Sequence, residues 1–175
     1  VPSPLSEIAY QLAGTNLAST IAAKNAEVAT AFGLNSVDII STIPTDMNTT
    51  KAENDDAGKF ATVLAAISQR GKNSDDANPT VTINALIADM RDSGTIEGRL
   101  TGTKATGTEV DITKAIRNFA TNSGANKDVG TGTGAANIDL STGEGSVIGD
   151  LAIAFIDAYD GTNTKPTVLQ YADAG

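Results

Sequence analysis

Apolar residues recur along this chain at helical spacing, and glycine, proline and short polar runs interrupt them. Leu5, Ile8, Ala9 and Leu12 share one face of a first predicted helix, opened by Ser3-Pro4 and ended by Gly14. Serine satisfies the free amides of a helix start, and proline in the first turn gives up no hydrogen bond. A second helix is expected over 17–32, with Ile21, Ala22, Val28, Ala29 and Phe32 inward, Lys24, Asn25 and Glu27 outward, and Gly33 as its stop. Ser36 then caps a short turn through Val37, Ile39 and Ile40, which Pro44 closes before a polar stretch over 45–56. The third helix, over 57–70, carries Phe60, Val63, Leu64 and Ile67 inward and Gly71 as its C-cap. After the polar loop 72–78 and Pro79, Thr82 is the expected N-cap of a fourth helix. Its inward residues are Ile83, Leu86, Ile87 and Met90, and Gly94 ends it. Ile96 and Leu100 are expected to lie back against these helices.

The pattern weakens over 101–107, a polar, glycine-containing stretch that reads as a boundary between subdomains and a candidate hinge. Val110, Ile112, Ala115, Ile116 and Phe119 form one further amphipathic stripe. The segment 121–145 is rich in Gly, Thr, Asn and Ala, and a loop of that length is uncommon in a compact domain unless it has a function, a surface course or partial disorder. Ser146 caps the last helix, with Ile148, Leu151, Ala152, Phe155, Ile156 and Tyr159 inward and Gly161 as terminator. Val168, Leu169 and Tyr171 follow Pro166 as a short strand or packed tail. The expected fold is therefore all-α: an irregular bundle of about six helices with a long Gly/Thr-rich loop. Its two subdomains, 1–100 and 101–175, are expected to share one core.

Composition narrows the chemistry. The 175 residues include no histidine and no cysteine, which removes the commonest general base, the thiol nucleophile and the preferred ligands of zinc. Carboxylate, lysine, tyrosine and hydroxyl chemistry remain, with oxygen-ligated calcium or magnesium. Twelve basic residues against 21 acidic ones give a net charge of -9, a surface that repels phosphate backbones and anionic lipids, so nucleic acid and membranes are not expected partners. No apolar run is long enough to span a bilayer. The opening Val1-Pro2-Ser3-Pro4, without initiator Met or basic segment, reads as an excised or processed chain. Abundant Thr and Asn with few lysines and no cysteine suits an exported protein, and the expected setting is extracellular or cell-surface.

Tested motif by motif, the chain yields no catalytic or cofactor-binding residue. Gly130-Thr131-Gly132-Thr133-Gly134 superficially resembles a dinucleotide loop, but no apolar strand precedes it and the glycine spacing differs. Asp157 and Asp160, within Asp157-Ala158-Tyr159-Asp160-Gly161, are the calcium candidates. EF-hand spacing fails there, since the third and fifth positions are Tyr159 and Gly161, and a turn at a helix end accounts for them better. Asp55-Asp56 and Asp75-Asp76 precede helices, where carboxylates meet the positive end of the dipole. Glu7 and Glu27 fall on exposed faces, and the aromatic platforms of a sugar-cleaving cleft are scarce, with aromatics at 4%. Asn48-Thr49-Thr50 matches a glycosylation sequon in a loop.

The run Pro4-Leu5-Ser6-Glu7-Ile8-Ala9-Tyr10-Gln11-Leu12-Ala13-Gly14 resembles the opening of helical domains in large exported bacterial surface proteins and lipoproteins. So do the run from Ile21 to Leu34, with Lys24-Asn25-Ala26-Glu27 at its centre, and the run from Gly58 to Gln69. The likeness covers about residues 3–100. In such proteins the helical unit often follows small β-sandwich modules of the carboxypeptidase-regulatory or immunoglobulin-like type. The resemblance implies a secreted, surface-attached, non-enzymatic module and brings over no catalytic or binding residue. The expected function is adhesion or structural assembly through a protein or glycan partner. The alternatives are a self-assembling filament or layer subunit and a small-ligand or glycan-binding domain. Val168, Leu169 and Tyr171 are the candidate interaction residues.

Overall fold

The computed structural model describes residues 2–15, 17–47, 52–73, 79–93 and 151. Among them the architecture is all-α, with helices α1 (Pro4–Ala13), α2 (Leu17–Ala31), α3 (Asp56–Asn73) and α4 (Pro79–Ser93) and no strand. α1 packs against both α2 and α4, and α4 packs against α3, so α1 and α4 form the middle of the bundle. Leu5 and Ile8 of α1, Phe32 after α2, Phe60 of α3 and Leu86 of α4 are all fully enclosed and meet in one core. Each such side chain stabilises the fold by roughly 1.5–3 kcal/mol relative to exposure. Leu151, expected inward on the last predicted helix, is helical and fully buried in that same core.

The helix ends follow from local chemistry. Ser3 caps α1 by accepting from the Ser6 amide at 3.2 Å, and the Ser6 hydroxyl accepts from the Ser3 amide at 2.8 Å, so a serine stands where a capping box usually has a glutamate. At its other end the Arg91 guanidinium of α4 donates to the Gln11 carbonyl at 3.0 Å, placing a cation against the negative end of the α1 dipole. α2 closes with a paired motif: the Gly33 amide donates to the Thr30 carbonyl at 2.9 Å and the Leu34 amide to that of Ala29 at 2.8 Å. Gly33 sits at φ 70°, a conformation that a Cβ disfavours. The helix accordingly ends at Ala31 rather than Phe32.

Several sequence expectations are corrected. Ser36 does not cap the turn that follows it; its hydroxyl donates to the Asp56 carboxylate, and Asp38 organises the turn instead. Ile40 is exposed, because residues 37–40 alternate, with Val37 and Ile39 buried and Asp38 and Ile40 outward. Ala22 is exposed as well, since the buried residues of α2 gather in its last turns at Val28, Ala29 and Ala31. Asn25 and Glu27 are half-buried rather than outward, and Glu27 pairs with Lys24 at 2.6 Å. α3 runs through Gly71 to Asn73: glycine weakens a helix by about 1 kcal/mol without ending it. α4 starts at Pro79, whose fixed φ suits a first turn, so Thr82 lies inside the helix and is fully buried. Glu7, in contrast, is exposed as expected. The loop boundary at 101–107, the helix at 110–119, the loop at 121–145 and the Asp75-Asp76 and Asn48-Thr49-Thr50 motifs lie outside the described residues.

The start of α3 is the tightest joint in the fold. Asp55 caps it by accepting from the Gly58 amide at 2.7 Å, as expected of Asp55, while Asp56 is the first helical residue and its carboxylate accepts from Ser36. Gly58 is buried, and a Cβ there would overlap the backbone carbonyl of Glu53. Gly58→Ala, which in an unhindered helix gains about 0.5–1 kcal/mol, is therefore expected to lose more than about 1 kcal/mol, read as a lower urea midpoint. An unchanged or raised midpoint would show that the Glu53 backbone moves aside at no cost.

Candidate contact surface around Ile40

The turn over 37–40 anchors inward and presents outward. Val37 and Ile39 drive into the core while Asp38 accepts two hydrogen bonds, from the Ile40 amide at 2.9 Å and the Ser41 hydroxyl at 2.6 Å. The Ser41 hydroxyl and, after it, the Ile40 amide hold the Asp38 carboxyl below its ordinary value. The Thr42 amide closes on the Asp38 carbonyl at 2.9 Å. A short polar residue thus fixes the backbone so that the next apolar residue, Ile40, stands in solvent with 43% of its surface exposed.

Ile40 is a ridge between two concavities. On one side a shallow, open depression of about 710 Å³ is lined by Pro2, Pro4, Glu7, Tyr10 and Ile83, with Tyr10 half exposed. On the other, a narrower cavity of about 400 Å³ lies between α2 and the turn, walled by Ala22, Ala26, Val37 and Ile39, with Asn25 and Asp38 as its polar members. The Asn25 side-chain oxygen is buried without a hydrogen-bond partner, a condition that costs about 1–3 kcal/mol. Glu7 on the first side and Asp38 on the second place a carboxylate at each flank of the ridge. Glu7 is steadied by the Gln11 amide at 2.9 Å.

This surface is made of other residues than those the sequence singled out. Val168, Leu169 and Tyr171 fall outside the described residues, as do the calcium candidates Asp157 and Asp160. Among the described residues no group of three or more acidic side chains comes together to hold a metal ion, and no helix is long and apolar enough to cross a membrane. Of the residues that form the surface, Ile40 is expected from the sequence in a short turn and Asn25 on the outward face of α2. The available signal was the alternation Val37-Asp38-Ile39-Ile40, in which an aspartate after a buried valine marks the outward phase.

Because the Asp38 carboxyl is depressed in the folded state, its contribution is present above the unfolded carboxylate value, about 3.9, and is lost as pH falls through the folded value. Comparing the parent with Asp38→Asn by urea unfolding, the parent's advantage is expected to shrink between about pH 6 and about pH 2. A difference that stays constant over that range would mean that the hydrogen bonds, not the charge, account for it. No protein-family model, curated protein or solved structure matches this chain.

Proposed function

We propose that this chain is a non-enzymatic module of an exported bacterial surface protein, working by contact in adhesion or structural assembly. The observation that carries the reading is the exposed ridge of Ile40 with Tyr10 beside it: apolar side chains held in solvent by a rigid turn and edged by carboxylates. Interfaces commonly combine an apolar centre with a polar rim. The resemblance of residues 3–100 to helical domains of bacterial surface proteins supports the extracellular setting, as does a composition free of cysteine. The net charge of -9 favours a protein partner with basic groups over nucleic acid, over an anionic membrane and over a second copy of the chain. In this reading about six helices form one bundle, and Leu151 in the core of α1–α4 supports a core shared by 1–100 and 101–175. The chain needs no metal or cofactor for such a role.

The test is binding of the labelled full chain to a panel of immobilised extracellular glycoproteins and glycans, alongside solution mass over a wide concentration range. Ile40→Asp and Tyr10→Asp alter exposed positions and should leave the thermal melt unchanged while weakening capture by about tenfold or more. A mass that grows with concentration and is reversed by the same variants would assign the surface to self-assembly. A fixed monomer that captures nothing on the panel would overturn the contact reading.

A further inference from the structure

We draw no further inference here: the strongest candidate, the open depression between the start of α1 and Ile40, belongs to the contact surface already described, and nothing in the structure shows what covers it.

Discussion

The loop between α2 and α3 keeps its shape because the start of α3 grips it. Ser36 donates to Asp56, the Thr45 amide donates to the Ala57 carbonyl at 3.2 Å, and Glu53 lies against Gly58 too closely for any side chain to intervene. These ties meet within one helical turn, the same turn whose amide Asp55 caps. Between the Schellman-type close of α2 at Gly33 and the tie at Thr45, the backbone is further held by the Val37 amide on the Leu34 carbonyl and the Thr42 amide on the Asp38 carbonyl. Leu34, Val37 and Ile39 can then be buried although they belong to no helix, and Ile40 is left on the outside by default. The surface thus depends also on a close approach outside it, that of Glu53 to Gly58.

That dependence explains what the sequence makes legible. Helices reveal themselves where apolar spacing and end signals agree: the spacing of Leu5, Ile8 and Ala9 with Ser3 before and Gly14 after places α1 to the residue. The signals mislead where one residue type serves two purposes. Gly71 looks like a terminator yet sits inside α3, since a glycine weakens a helix by about 1 kcal/mol without ending it, and Thr82 looks like a cap yet is buried in α4. Asp89 falls between Leu86 and Met90 on the inward face, and its complete burial could be read from that register.

The contact surface was harder to read because it is made by a departure from pattern. Asn25 and Ala22 carry no unusual sequence signal; they line a cavity because the buried contacts of α2 lie toward its end and the turn over 37–40 stands opposite its middle. Side chains in a row can be read from periodicity, whereas a concavity needs two segments brought together. Here the segments are joined by the α2 terminus, so their relation rests on the left-handed Gly33 together with the ties to the start of α3.

Leu151 gives the core an order in time. α1 to α4 follow one another within residues 4–93, while the seat of Leu151 is filled from a residue far along the chain. Closing so long a loop costs entropy that local helix pairing does not. During synthesis at about 5–20 residues per second, the four helices emerge a few seconds before Leu151. For that interval the nascent bundle lacks the Leu151 side chain in its interior, a transient state whose lifetime is set by the ribosome and not by the fold.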